Sequence, residues 1–241
     1  MSRPSLVIIP TYNEIENIAK MLDTVMGLEP GYEVLIVDDG SPDGTADVVR
    51  EKMAQYDGRI HLEERTGKLG LGTAYIHGFR WALARSYQYI FEMDCDFSHN
   101  PHDLARLEQA CKEGAGLSIG SRYIKGVNVV NWPMSRVLLS YFASVYVRFI
   151  TGMPIQDSTA GFKCYTRETL QSINFDKIHF VGYAFQIEMK FKVWSRGIEI
   201  VEVPVIFTDR TEGTSKMSSG IIKEAILGVI KLKVWSFFSK S

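Results

Sequence analysis

The feature that most constrains this chain is a series of short, wholly apolar runs that stop at polar turns and alternate with helix-patterned stretches. Leu6-Val7-Ile8-Ile9 stops at Pro10, and Val34-Leu35-Ile36-Val37 stops at Asp38-Asp39-Gly40-Ser41-Pro42-Asp43-Gly44. Ile60 to Leu62, Tyr89 to Met93, Leu117 to Gly120 and Ile198 to Val203 read as further strands. A strand apolar throughout must be covered on both faces, which the crossover helices of a parallel sheet achieve. Helices are expected from Ile15, where Ile15, Ile18, Leu22 and Val25 share a face, around Ala46 to Met53, near Thr73 to Arg85, after Pro101, over 134 to 151, and near Ala184 to Arg196. Asn13 followed by Glu16 has the spacing of a capping box for the first of these. The expected architecture is α/β, a mostly parallel central sheet flanked by helices. A length of 241 residues with 46% hydrophobic content suffices to bury one such domain, residues 1–241.

Composition removes several function classes. A net charge of -1 gives no overall pull toward nucleic acid or anionic lipid, so any anion site must be built locally. Cys95, Cys111 and Cys164 are an odd number without CxxC spacing, which argues against a disulfide framework and a thiolate metal site and fits a reducing compartment. The N-terminal apolar run is too short for a signal peptide, and no apolar stretch reaches the roughly 20 residues of a spanning helix. A cytoplasmic protein is expected, with peripheral contact at the cytosolic face of a membrane. No GxGxxG follows the first strand, which disfavours a dehydrogenase.

Ligands of open parallel sheets bind beyond the carboxyl ends of the strands, and polar residues concentrate there: Tyr12 and Glu14, Asp38 and Asp39, Asp94 and Asp96. Helix capping accounts for an aspartate at any one strand end; three ends together point to a shared crevice. Asp94-Cys95-Asp96 sets two carboxylates one residue apart, a donor set for Mg2+ or Mn2+ whose shell water and substrate phosphates complete. Lys68-Leu69-Gly70-Leu71-Gly72 lacks the P-loop and Rossmann spacings and is expected to be a turn before a helix. Arg136 and Ser140, four apart on a helix, share a face where a guanidinium fork and a hydroxyl both grip a phosphate; a snorkelling arginine fits the same pattern. The tail from Ile221 to Phe238, apolar with interspersed lysines, suits either an interfacial amphipathic helix or packing on the core or a partner.

Six segments in order give these residues a common meaning: Ile9-Pro10-Thr11-Tyr12-Asn13-Glu14, Val37 to Thr45, Lys68 to Ala74, Met93-Asp94-Cys95-Asp96-Phe97-Ser98-His99, Gly120-Ser121-Arg122-Tyr123 and Ser158-Thr159-Ala160-Gly161-Phe162. Over nearly its whole length the chain resembles the dolichol-phosphate mannose synthase group of the family 2 glycosyltransferases, which have a nucleotide-binding fold of the GT-A type. The resemblance implies that Pro10, Tyr12, Glu14, Val37 and Asp39 hold the base and ribose of the donor, with Cys95 beside the nucleotide. It implies that Asp96 binds the metal, that Asp94 supports the sugar and metal region, and that Ser98 stands at a further polar ligand position. Arg122, Arg136 and Ser140 are implied to meet a lipid phosphate, and Arg210 and Lys216 to close over the donor diphosphate, which Arg122 also approaches. The implied reaction moves mannose from GDP-mannose to polyprenyl phosphate with inversion, giving a β-linked product and GDP. Polyprenyl-phosphate glucosyl transfer from UDP-glucose, transfer to a sugar hydroxyl, and a non-catalytic nucleotide-sugar-binding subunit are the alternatives. Asp157 and Glu188 are the carboxylates available as a base should the acceptor require one. Some members of the group depend on small membrane proteins, so such a partner is a further expectation; nucleic acid is not.

Overall fold

The computed structural model describes residues 5–29, 31–182, 184–209 and 227–235. The expected strands appear as β1 (Ser5–Thr11), β2 (Tyr32–Asp38), β3 (Ile60–Glu64), β4 (Tyr89–Glu92), β5 (Leu117–Ser121) and β8 (Ile200–Pro204). The expected helices are α1 (Ile15–Met26), α2 (Thr45–Gln55), α3 (Leu71–Leu83), α4 (Leu104–Lys112), α5 (Met134–Thr151) and α7 (Ala184–Trp194). The sequence pattern does not anticipate strand β7 (Lys163–Thr166), the short helix α6 (Arg167–Gln171) that follows it, or two further short strands. β6 (Val129–Val130) and β9 (Phe207–Thr208) form a separate parallel ribbon.

The main sheet has the order β3-β2-β1-β4-β7-β5-β8. β7 is antiparallel to both its neighbours, β4 and β5, while every other adjacent pair is parallel. Because β7 reverses direction twice over, β5 runs the same way as β4. The carboxyl ends of β1, β2, β4 and β5 therefore open on one edge of the sheet. The chain steps from β1 outward to β2 and β3, then returns to place β4 on the other side of β1, which makes the β1/β4 junction the switch point where a crevice opens.

Side chains alternate across the pleat into two cores. On one face Leu6, Ile8, Leu35, Val37 and Ile90 pack with Tyr75 and Phe79 of α3 and with Phe185 and Met189 of α7. On the other, Val7, Ile9, Val34, Ile36 and Phe91 pack with Ile18 and Leu22 of α1 and with Leu104 and Leu107 of α4. α3 lies so close to β1 that a Cβ at Gly78 would stand 2.7 Å from Ile8 Cγ2, so only glycine permits that approach.

The capping box expected at Asn13 and Glu16 does not form. Asn13 has φ of 57°, and α1 begins after Glu14 without a side-chain cap of its own. The cap comes instead from the neighbouring turn: the Ile15 N–H donates to Asp43 Oδ2 at 3.1 Å, Glu14 N–H to Thr45 Oγ1 at 3.0 Å, and Asn13 N–H to Ser41 Oγ at 2.9 Å. A carboxylate from an adjacent loop satisfies the orphan donors as well as a local one would, which releases Asn13 to take the left-handed turn.

Part of the tail lies among the described residues. Residues 227–235 are helical, with Val229 and Leu232 buried in the first core. Trp235 stacks on His179 with ring centroids 4.1 Å apart, and Lys233 Nζ donates to the Thr151 carbonyl at the end of α5. The opposite face exposes Leu227, Ile230 and Val234. α5 likewise presents an outward apolar row, with Met134 69%, Phe142 60% and Phe149 85% exposed. Among the described residues no helix is long and apolar enough to cross a membrane.

Candidate functional site

The three acidic strand ends differ in role. Asp38 is 1% exposed and fully engaged: Thr11 Oγ1 donates to it at 2.7 Å, Ser41 N–H at 2.8 Å and Ser41 Oγ at 2.6 Å. It fastens the end of β1 to the turn after β2 and faces no ligand. Asp39 lies next along, its Oδ1 held by Arg65 Nε at 2.6 Å, while Arg65 Nη1 donates to Thr73 Oγ1 at 2.9 Å and Thr73 to the Gly70 carbonyl at 2.7 Å. Arg65 thus ties a strand-end carboxylate to the glycine loop before α3. Nothing in the local sequence marks Arg65 for that task, because its partners are brought by β2 and α3.

The glycine loop is a turn, as expected. Gly70 has φ of 102°, and the Gly72 N–H donates to the Val181 carbonyl at 2.8 Å. Lys68 leaves this loop with its ammonium 5.0 Å from the centre of the Tyr12 ring, at the end of β1. Tyr12, Glu14 and Pro10 are all partly exposed there, whereas the Val37 side chain is wholly buried.

Past β4 the chain turns sharply through Asp94, Cys95 and Asp96. Asp94 is half-buried, and its backbone N–H donates to His99 Nδ1 at 3.0 Å. An acceptor Nδ1 puts the ring proton on Nε2, which stands 3.9 Å from Asp94 Oδ2. His99 is itself fixed by stacking on Phe162 at 4.9 Å. The loss of hydration raises the Asp94 carboxyl above its ordinary value; His99 opposes the rise and the charge of Asp96 adds to it. Burial pushes the Cys95 thiol well up, with Glu14 and Asp96 contributing, so it is a small neutral wall residue. Asp96 Oδ1 accepts from the Ser98 N–H at 3.1 Å and from Ser98 Oγ at 2.5 Å.

These residues fit a divalent cation of the kind that takes one or two protein carboxylates and fills its shell from substrate phosphates. The supporting observation is the placement of the two carboxylates in the tight turn after β4, Asp94 half-exposed and Asp96 oriented by the Ser98 N–H and hydroxyl. Among the described residues there is no cluster of three or more His, Cys, Asp or Glu side chains able to enclose a metal unaided.

Across the same edge, β5 ends at Ser121 and delivers Arg122. The guanidinium is gripped from below: Nε donates to Asp157 Oδ2 at 2.7 Å, Nη2 to Asp157 Oδ1 at 2.6 Å and to Thr159 Oγ1 at 2.8 Å. Trp132 and Phe207 cover it, each with its ring centre within 5.5 Å of Cζ. Burial alone would raise the Asp157 carboxyl, but the charge and hydrogen bonds of Arg122 outweigh it and hold it below the usual carboxylate range. Arg136 and Ser140 share the inward side of α5. Arg136 lies over the Trp132 ring at 4.0 Å and pairs with Asp209 at 2.8 Å. The hydroxyl of Tyr123 is buried next to Ser140 without a well-formed hydrogen bond. Arg210 and Lys216 lie outside the described residues.

The two carboxylates considered as bases have other tasks. Asp157 is wholly buried beneath Arg122. Glu188, also wholly buried, accepts the N–H groups of His179 at 2.9 Å and Phe180 at 3.0 Å and so caps the segment on which Trp235 rests.

Acidic residues at the β1/β4 switch of an open, mostly parallel sheet, with basic residues at the neighbouring β5 end, define a nucleotide-binding fold of the GT-A glycosyltransferase type. The crystal structure of glucosyl-3-phosphoglycerate synthase from Mycobacterium tuberculosis in complex with Mn2+, uridine diphosphate and glucosyl-3-phosphoglycerate shares this fold, with a TM-score of 0.66 over 98% of this chain and 79% of that one at 19% identity. Residues 6–173 match the model of glycosyl transferase family 2, and the chain belongs to that family. It is 46% identical to the polyprenol monophosphomannose synthase of Mycolicibacterium smegmatis over 93% of this chain and 85% of that protein. It is equally 46% identical to the undecaprenyl-phosphate mannosyltransferase of Micrococcus luteus, over 94% of this chain and 92% of that protein.

Proposed function

We propose that this protein transfers mannose from GDP-mannose to a polyprenyl phosphate, with inversion at the anomeric carbon, releasing GDP. The observation that carries the proposal is the 46% identity, sustained over more than nine-tenths of the chain, to two enzymes named for polyprenol and undecaprenyl-phosphate mannosylation. The site chemistry agrees. Pro10, Tyr12, Glu14, Asp39 and Cys95 surround the donor nucleotide at the β1/β4 switch, with Val37 buried in the strand behind them, and Asp96, with Ser98 and Asp94, would hold Mg2+ or Mn2+. The bound ion supplies charge neutralisation of the leaving diphosphate.

Arg122, Arg136 and Ser140 receive the acceptor phosphate. A phosphate monoester loses its second proton at about pH 6, so near neutrality it attacks as a dianion and needs no general base. The engagement of both Asp157 and Glu188 in buried contacts supports such a base-free displacement. What the protein must overcome is repulsion between two phosphate-bearing substrates. Arg122, its Nε and Nη2 taken by Asp157 and Thr159 and its faces covered by aromatic rings, keeps its charge and its remaining Nη1 in place at no cost of reorganisation when the phosphates meet. Arg210 and Lys216 add positive charge over the donor. The outward rows of α5 and of 227–235 are apolar, with Arg136 and Arg148 on the first helix and Lys231 and Lys233 on the second, which suits peripheral contact with the cytosolic face of a membrane where the acceptor's hydrocarbon resides.

The test is a reconstituted assay with purified protein, polyprenyl phosphate and a panel of labelled nucleotide sugars, with and without a chelator. Polyprenyl phosphomannose formed from GDP-mannose and abolished by chelation is expected. Turnover of another donor only, or of a sugar-hydroxyl acceptor, would overturn the proposal.

A further inference from the structure

The segment Ser158-Thr159-Ala160-Gly161-Phe162 has no role in the proposal above, yet it lies where every element of the acceptor side meets. It leads into β7, the reversed strand, and so starts at the same sheet edge as Asp94 and Arg122. From above, Arg122 reaches Asp157 and Thr159. From the side, Ser158 Oγ lies 3.3 Å from Ser144 Oγ, one turn along α5 from Ser140. From the β8 side, Glu202 accepts the N–H groups of Gln156 at 2.7 Å and Asp157 at 2.9 Å.

Beneath lies Lys190 of α7, wholly buried. Its Nζ donates to the carbonyl oxygens of Ser158 at 3.0 Å, Ala160 at 2.6 Å and Gln186 at 3.4 Å. Among the described residues no carboxylate lies within bonding distance to neutralise it. Burial draws its ammonium well below the ordinary lysine range, nearby Lys163 adding to this and Asp157 and Glu92 opposing it. A leucine or methionine would fill the same space without that penalty, so the amine is there for the oxygens it holds.

We infer that Lys190 is a positioning residue for the acceptor site, pinning the 157–161 segment so that Asp157 sets Arg122 and Ser158 sets α5, with its Arg136 and Ser140, in register with each other. The inference rests on the assignment of those three residues to the acceptor phosphate. Lys190 touches neither substrate. Loss of its two bonds to the segment frees it to shift, and the two halves of the phosphate site then drift apart while the donor residues on β1, β2 and β4 stay in place.

Lys190→Met in the full chain tests this through both substrates. The KM for polyprenyl phosphate is expected to rise roughly tenfold or more, with the KM for the nucleotide sugar changed by less than about twofold. A purely structural role would lower the fraction of active enzyme and leave both KM values alone. Equal rises in both, or no rise in the acceptor KM, would overturn the inference. Should Lys190→Met fail to fold, Ser144→Ala decides, since it breaks the link to α5 and leaves Lys190 bonded. It is expected to raise the acceptor KM about threefold, and no rise would count against the claim. Arg136→Ala separates the two levels: if it leaves the acceptor KM unchanged, the acceptor assignment itself is wrong. If it raises that KM while Lys190→Met and Ser144→Ala do not, only the role of Lys190 is lost.

Discussion

The two sides of the crevice are held together by different means. On the side of β1 to β4, the strand-end loops are laced to one another by short polar contacts, from the exposed bond of Asp43 to the start of α1 to the part-buried ones of Ser41 to Asp38 and Arg65 to Asp39. On the side of β5, α5 and β7, buried charges do the work: Arg122 on Asp157, Lys190 on three carbonyls, and at the seam Lys163 on Glu92. The first side follows the regular alternation of strand and helix, in which each loop needs only to hold its neighbour. The second contains a reversed strand and a helix with an open apolar face, so its loops are fixed from beneath by groups with no water to compete.

That contrast is open to attack at the seam first. Glu92 accepts from Lys163 at 2.9 Å, from Tyr165 Oη at 2.9 Å and from Gln186 at 2.9 Å, all wholly buried. Glu92→Gln leaves an ammonium in the core without a counter-charge, and chemical denaturation should show a loss of about 3–5 kcal/mol. Next in size, Asp96→Ala should lower kcat by about 10²–10³-fold while the melting temperature stays near the parent value, read from initial rates and calorimetry. Arg136→Ala removes a charged hydrogen-bond donor worth about 1.5–3 kcal/mol, a rise of roughly ten- to a hundredfold in acceptor KM with donor binding preserved in titration calorimetry. The smallest effect belongs to the laced side: Asp43→Ala removes a cap of about 1 kcal/mol, to be read as a shift in the denaturation midpoint. If Asp43→Ala proved as costly as Glu92→Gln, the two sides would not differ as described.

What the sequence disclosed divides along the same line. β1 and β2 follow from Leu6 to Ile9 and Val34 to Val37, because an all-apolar run between turns has few other places to go, and α1 between them follows from the face shared by Ile15, Ile18, Leu22 and Val25. β7 was missed for a physical reason. Lys163-Cys164-Tyr165-Thr166 opens on a lysine that no surface pattern would place in a core, and only Glu92, seventy positions away in effect a neighbour through the sheet, makes it one. Asp94, Asp96, Arg136 and Ser140 are singled out by spacing and the ordered motifs together, and their roles stand as part of the proposal. Asp157, the partner of Arg122, stands out in the sequence only as a carboxylate able to act as a base, since a sequence shows that a carboxylate exists and not what it faces. Arg65 and Lys190 gave no signal at all, their purpose arising wholly from contacts made by other elements.

The reversed strand also sets an order of events during synthesis. β4 can pair with β1 as soon as it is made, but its other edge waits for β7, and β5 has no neighbour at all until β7 and then β8 have emerged. In the interval both present bare backbone edges, the usual template for unwanted pairing between chains. A nascent chain halted before Lys163 should therefore collect in the insoluble fraction, and one extended through Thr166 should begin to resist it.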